Sequence, residues 1–478
     1  MPGLSESEKQ ASAHASIRLG NAPKERASKL LTEFRIRDFK AWVDSGIVKT
    51  PPLTVFFGRN SSGKSSLLQS LLTMKQTAES LDPKQVLDLG GPGSYVDLGS
   101  FKDIARGHSQ SPISFEFAWK SEEKVALRRT GANELTSDSF RFNTTVGPHT
   151  RDGTLVVHEM AYTIEPKRSV GMKMTNRGEY TLTTSGISLT RRRGRAWPLP
   201  DPIKCYAFPD QGISYYSNAD FLADLAFQFD ELMSGISYVG PLREHPQRTY
   251  AWRGANPTSV GPKGEQTIEA ILAARLDKRK IGRGSGRARR YQSFDENLGT
   301  WLQRLGLVEH FSLEEIAAGR KIYELNVVVN GGMVPVAITD VGFGVSQALP
   351  VLVQLYYAPS GSLILLEQPE IHLHPAVQSN LADVMIDAVR HNGVQIITES
   401  HSEHLLRRLQ RRIAEGEIDE TQVALYFVDN IDGEASIKLL RLDKFGNISN
   451  WPHDFFGDEV GDLVAMTEAA ISRQDPSA

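Results

Sequence analysis

The sequence predicts an α/β protein: a mixed sheet with crossover helices, interrupted by a β-rich and helical middle insertion. Three observations predict it. A short apolar run, LTVFF at residues 53–57, leads through a glycine-bounded loop directly into SSLLQSLLTMKQ, where Leu67, Leu68, Leu71 and Leu72 fall on one helical face. From residue 334 onward, strand-like apolar runs alternate with helical periodicity in the order strand, helix, buried strand, helix, buried strand, which predicts a parallel sheet with crossover helices. Between about residues 88 and 204, period-two segments such as ISFEFAW and TLVVHEMAYTIE are separated by Gly, Asn, Asp and Ser, the pattern of a meandering antiparallel sheet.

Length and composition bound the rest. At 478 residues the chain exceeds the size at which one hydrophobic core stops growing, so two or three lobes are expected. With 40% hydrophobic and 23% charged residues, and no apolar run near the roughly 20 residues of a membrane span, a soluble, cytoplasmic protein without a membrane partner is expected. The first 30 residues lack the apolar core of a secretory signal and read as a disordered tail. A single cysteine, Cys205, excludes an intramolecular disulfide and a multi-cysteine metal site.

The net charge of -3 provides no global field to hold a polyanion, so contact with DNA would have to come from local patches. One is Arg191, Arg192, Arg193 and Arg195; the other comprises Lys278, Arg279, Lys280, Arg283, Arg287, Arg289 and Arg290. Neither run is interleaved with aromatics, and a solvated loop is the plainer reading of each.

The chemistry concentrates in four short segments. Gly58, Arg59, Asn60, Ser61, Ser62, Gly63, Lys64 and Ser65, followed by Ser66, fit the phosphate-loop pattern G-x-x-x-x-G-K-[ST] between a strand and a helix. Glycines let main-chain N–H groups curl around a phosphate, the helix N-terminus adds partial positive charge, Lys64 adds a full one, and the Ser65 hydroxyl is a magnesium ligand. Downstream, the apolar run at 363–366 ends in Glu367-Gln368-Pro369-Glu370, and a carboxylate at such a strand end is expected on the strand adjacent to the phosphate loop, where Glu367 would hold Mg²⁺. His372 and His374 follow, but their spacing is not H-E-x-x-H, so zinc is not expected. A third strand, residues 394–398, ends in Glu399-Ser400-His401, and a histidine there would sense the γ-phosphate. Gly342, Gly344, Ser346 and Gln347, at the start of a helical pattern, form a second anion site separate from the first.

Together the motifs GRNSSGKSS, VGFGVSQALP, LLEQPEIHLHP and TESHSEHLL, in that order, resemble the ABC-type ATPases of the chromosome-maintenance, recombination-repair and OLD (overcoming lysogenization defect) class. TEFRIRDFKAW, YVDLGSFKDI and YVGPLRE extend the resemblance, and ISNWPHDFFGDE looks like a C-terminal piece of unknown function found in some AAA-labelled members. The resemblance implies a P-loop NTPase fold of ABC type, ATP and Mg²⁺ as ligands, and a head-to-tail homodimer in which Gly342, Gly344, Ser346 and Gln347 close on ATP held by the partner's loop. It also implies a switch driven by ATP that acts on DNA or on a partner effector in DNA repair or anti-phage defence. On this reading residues 31–105 and 331–410 are the two halves of the ATPase domain, 106–330 the insertion and 411–478 a C-terminal segment of unknown function.

One departure bears on activity. The class has Asp then Glu at the strand end, whereas this chain has Glu367 then Gln368. A glutamine orients water but cannot take its proton, so slow turnover is expected unless Glu370 or another carboxylate substitutes. The alternative is a nucleotide sensor with little or no hydrolysis. VALYFVDNIDG lacks the acidic set of a nuclease domain, and the missing LSGGQ and the large insertion disfavour a transporter subunit.

Overall fold

The computed structural model describes residues 28–131, 134–150, 153–165, 167–194, 198–283, 290–329, 331–452 and 459–474. Arg195, Arg287 and Arg289, and nearly all of the expected tail, lie outside the described residues.

Eight strands build an antiparallel sheet: β1 (Lys29–Phe39), β2 (Trp42–Asp44), β3 (Val48–Lys49), β5 (Ile113–Leu127), β6 (Leu135–Pro148), β7 (Leu155–Ile164), β8 (Arg168–Met174) and β9 (Tyr180–Ser185). From β5 to β9 each strand pairs with the next in sequence, the meander that the period-two pattern predicts.

A second sheet has six strands in the order β10 (Ser237–Val239), β17 (Leu363–Glu367), β18 (Gln395–Glu399), β4 (Leu53–Gly58), β19 (Val423–Ile431) and β20 (Glu434–Leu439). All pairings are parallel except the terminal hairpin of β19 with β20. Alternate residues feed opposite cores: Leu53, Val55 and Phe57 face one, with Ile364, Leu366 and Ile396, and Phe56 faces the other with Leu363, Leu365 and Ile397. Helices α1 (Lys64–Glu79) and α2 (Phe221–Ser234) share the second core with the antiparallel sheet. The first core is closed by α3 (Thr267–Leu276), α4 (Phe294–Arg304), α5 (Phe343–Tyr357), α6 (Pro375–Asp387) and α7 (Glu403–Ala414). Both faces being covered explains why these strands read as unbroken apolar runs.

Two expectations are corrected. The strand expected just after residue 334 is β16 (Val336–Ala337), which pairs antiparallel with β15 (Ile322–Val328) in a separate sheet with β11 (Tyr250–Ala251) and β14 (His310–Glu315). The central sheet also reaches beyond its expected segments, taking β10 from within 106–330 and β19 and β20 from beyond 410. An apolar strand can be recognised locally, but its pairing partner cannot, because pairing is set by contacts distant in sequence.

One buried amide makes three of the hydrogen bonds that tie the two sheets together. Gln395 is 2% exposed on β18, yet its side chain accepts from the Leu31 N–H at 3.0 Å and donates to the Leu31 and Thr50 carbonyls, both at 2.7 Å. Gln395→Leu keeps similar bulk but removes the partner of the buried Leu31 N–H and Thr50 carbonyl, and is expected to lower stability by about 2–4 kcal/mol in denaturant titration.

Candidate phosphate-binding site

The phosphate loop leaves β4 through a backbone that only glycine tolerates. Gly58 has φ 146°, and a Cβ there would lie 2.0 Å from the Val428 carbonyl oxygen of β19. Gly63, at φ 102°, precedes α1 and provides no side-chain cap, while Trp42 donates from Nε1 to its carbonyl at 3.1 Å. The first-turn N–H groups of α1 therefore remain available to an anion. Lys64 is 3% exposed, and its ammonium donates to the carbonyls of Gly58 at 3.0 Å and Arg59 at 2.6 Å. Burial depresses its pKa, and the charges of Glu399 and Glu370 oppose that shift.

The sheet order alters the expected acidic edge. β18 lies between β4 and β17, so Glu367 stands two strands from the loop's strand instead of on the adjacent one. The adjacent strand ends in Glu399, the direct register partner of Glu367. The Ser65 hydroxyl donates to Glu399 Oε2 at 2.8 Å, and Lys64 Nζ and His401 Nε2 both lie 3.9 Å from Oε1. Glu399 was not among the residues expected to act. The available signal was a carboxylate at a strand's C-terminal end two residues before the histidine.

Electrostatics follow from placing two carboxylates side by side out of water. Burial, then the charge of Glu399, pushes the Glu367 pKa up to about 7, against a hydrogen bond from Tyr238 and the charge of Lys40. Burial also raises Glu399, opposed by Ser65 and Lys64. Lys40 donates to Gln69 Oε1 at 2.6 Å, and burial lowers its pKa against the pull of Glu367. His401 is lowered by burial and by Lys64, with a hydrogen bond to the Gly58 main chain opposing, so its ring is neutral at pH 7.

The remaining expected residues have distinct settings. Gln368 occupies a left-handed turn at φ 43°, and its N–H donates to the Glu399 carbonyl at 3.0 Å. Glu370, 6% exposed, accepts from the His401 N–H at 2.6 Å and so tethers the histidine loop. Arg243, missed in the sequence although it lies within YVGPLRE, is 7% exposed and donates to the carbonyls of Gln347 at 2.8 Å and Gln368 at 3.3 Å, joining α5 to the turn after β17. His374 caps α6, accepting from the Ala376 N–H at 3.3 Å. At the start of α5, Gly342 and Phe343 are exposed and Gly344 is partly so. Ser346 turns its hydroxyl back to the Phe343 carbonyl at 2.9 Å, and Gln347 is 4% exposed. α5 and α1 lie on opposite faces of the sheet, which separates their N-termini.

Two of the basic residues considered for DNA are held internally. Arg279 donates to the Tyr357 and Ala358 carbonyls, and Arg283 pairs with Asp387 and Asn297. Their guanidinium groups also sit over the aromatic rings of Tyr356, Tyr357 and Trp301, which composition alone does not reveal. Arg191, Arg192, Arg193, Lys278, Lys280 and Arg290 are exposed.

Residues 236–407 match a family model described as "AAA domain, putative AbiEii toxin, Type IV TA system", and residues 418–466 match one described as a protein of unknown function (DUF3696). No curated protein matches the sequence. Among solved structures, the chain is similar to the SMC head domain from Thermotoga maritima at 13% identity and TM-score 0.39, covering 86% of this chain and 99% of that one. It is also similar to an SMC head bound to the C-winged helix domain of ScpA, at 12% identity and TM-score 0.42, covering 87% and 99%. A third is the SMC head domain with an extended coiled coil bound to the C-terminal domain of ScpA derived from Pyrococcus furiosus, at 10% identity and TM-score 0.41, covering 92% and 99%. Among the described residues, no helix is long and apolar enough to cross a membrane. The fold is α/β with mixed sheets, and the glycine loop follows β4 of the mostly parallel one.

The Glu367 shift carries a stability consequence. A carboxyl whose folded-state pKa is raised binds more protons folded than unfolded, so its contribution is intact below pH 4.5 and is lost as pH rises through about 7. At about 1.4 kcal/mol per pH unit the loss is roughly 3.5 kcal/mol at most. Glu367→Gln is therefore expected to raise the unfolding midpoint of the nucleotide-free, chelator-treated protein at pH 8 and to leave it unchanged at pH 4.

Proposed function

We propose that this chain is an ATP-binding and ATP-hydrolysing dimerising switch that acts on DNA or on a partner effector in anti-phage defence or DNA repair. The observation that carries this reading is the convergence of Lys64 and Ser65, from the glycine loop, with Glu399 and His401 from the neighbouring strand end. The residues fit a magnesium triphosphate: the Ser65 hydroxyl and the carboxylates of Glu367 and Glu399 are hard oxygen donors, and the loop amides and Lys64 suit phosphate. Bound magnesium would neutralise charge developing on the transferred phosphoryl group.

The protein's own groups then divide the work. Residues from Gly58 to Ser66 cradle the phosphates, and the Lys64 ammonium moves from the loop carbonyls to phosphate oxygens. Gln368, in its left-handed turn, orients water, and neutral His401 donates to the γ-phosphate. Glu370 holds the histidine loop and, with the other buried carboxylates, is a candidate to supply the acid–base function that Gln368 lacks. In the dimer, Gly342, Gly344, Ser346 and Gln347 meet the partner's nucleotide; the exposed start of α5, on the face of the sheet opposite α1, favours action in trans. The matched family's description, which names a toxin of a type IV TA system, favours the defence arm. Arg191, Arg192, Arg193, Lys278, Lys280 and Arg290 are the exposed cations that would meet DNA phosphates. The C-terminal segment, residues 411–478, contributes β19 and β20 to the central sheet and has an unknown role.

Gln368 favours a second reading, a sensor that binds ATP and barely hydrolyses it. Calorimetry is expected to show ATP binding with Mg²⁺ that Lys64→Ala weakens about 100-fold or more, equal to about 2.7 kcal/mol. An absence of binding heat in the native protein rejects both readings. Phosphate release by the native protein that vanishes in Lys64→Ala supports the switch, whereas release seen only in Gln368→Glu supports the sensor. Light scattering is expected to show the mass doubling with ATP and Mg²⁺.

A further inference from the structure

The structure brings together two residues from separate motifs whose pairing the sequence does not reveal: the Ser65 hydroxyl and Glu399. Ser65 donates its proton to Oε2 at 2.8 Å, which directs its oxygen lone pairs away from the carboxylate. A hydroxyl held in this way is a better and better-aimed cation ligand than a freely rotating one. Glu399 is 3% exposed, and its register partner on β17 is Glu367, so two carboxylates end neighbouring strands beside the phosphate loop. Glu370 is not at a strand end: it lies in the turn after β17, where its Oε1 accepts from the His401 N–H at 2.6 Å. The nearest ammonium, Lys64, lies 3.9 Å from Glu399 and is already held by two loop carbonyls.

A triphosphate arriving without a cation would meet two acidic groups in a poorly solvated setting, where like charges repel more strongly than in water. With a divalent cation the same two groups become attractive. Resting on the nucleotide-binding reading above, we propose that Glu399 is a positioning residue for magnesium. It aims Ser65 at the cation and, with Glu367, makes triphosphate binding depend on the metal. A phosphate loop whose serine lacked such a partner would accept metal-free nucleotide more readily.

The test is calorimetric binding of a non-hydrolysable ATP analogue to the full chain, with Mg²⁺ and with a chelator, together with Mn²⁺ affinity of the protein–analogue complex by electron paramagnetic resonance. In the native protein the metal is expected to strengthen analogue binding at least 100-fold. Glu399→Gln is expected to cut that gain tenfold or more, weaken Mn²⁺ binding to match, and leave metal-free binding equal or tighter. Glu399→Asp keeps the charge on a shorter arm and is expected to fall between the two. The proposal is overturned if Glu399→Gln retains the native metal gain, or if it weakens binding equally with and without metal, the mark of a merely structural contact. No analogue binding by native protein in either condition removes the nucleotide reading and the inference together, whereas native binding with an unchanged metal gain in both variants removes the inference alone.

Discussion

The parallel pairing of β18 with β4 is the constraint on which the rest of the structure depends. In that register Ile396 lies opposite Leu53 and Glu399 opposite Phe56, so the histidine strand ends level with the start of the glycine loop. One pairing thus delivers Glu399, Ser400 and His401 to the loop's mouth, and the loop's own strand is held on its other side by β19. The close approach of β19 is what makes glycine necessary at position 58.

Burial of charge is the second organising feature. Lys64, Glu367, Glu370, Glu399 and Arg243 all lie in or beneath the site with little solvent around them, which is costly unless each charge has a partner. Partners are present, and most are main-chain groups: loop carbonyls for Lys64, the His401 N–H for Glu370, and carbonyls of two segments for Arg243. Such contacts lock the backbone around the site at the same time as they offset desolvation. Glu367 and Glu399 differ in that their partners are side chains, Tyr238 for one and Ser65 for the other, and the two carboxylates do not relieve each other.

Specific buried bonds join the elements around the site to more distant ones. Arg243 links the first turns of α5 to the turn after β17, so a displacement of that helix bears directly on Gln368. Gln395 similarly joins the antiparallel sheet to β18, the strand that carries Glu399 and His401. Both are buried polar side chains whose bonds are formed with backbone from another element, the arrangement that transmits position with little slack.

The glycine loop, its strand and helix, the meander and the strand ends at Glu367 and His401 were legible in the sequence, because each is specified by residues close together in the chain. Period-two and period-3.6 patterns and glycine at special backbone angles are local properties. Strand order is not. The neighbour of β4 could not be read locally, since β17, β18 and β19 are all short apolar runs equally able to pair, and the choice among them is made by helices and loops packing at a distance. For that reason the sequence by itself determined which residues form the glycine loop between β4 and α1. Only the tertiary structure decided that Glu399 lies nearer the loop than Glu367 does, and that Arg279 and Arg283 turn inward to buried oxygen and aromatic partners.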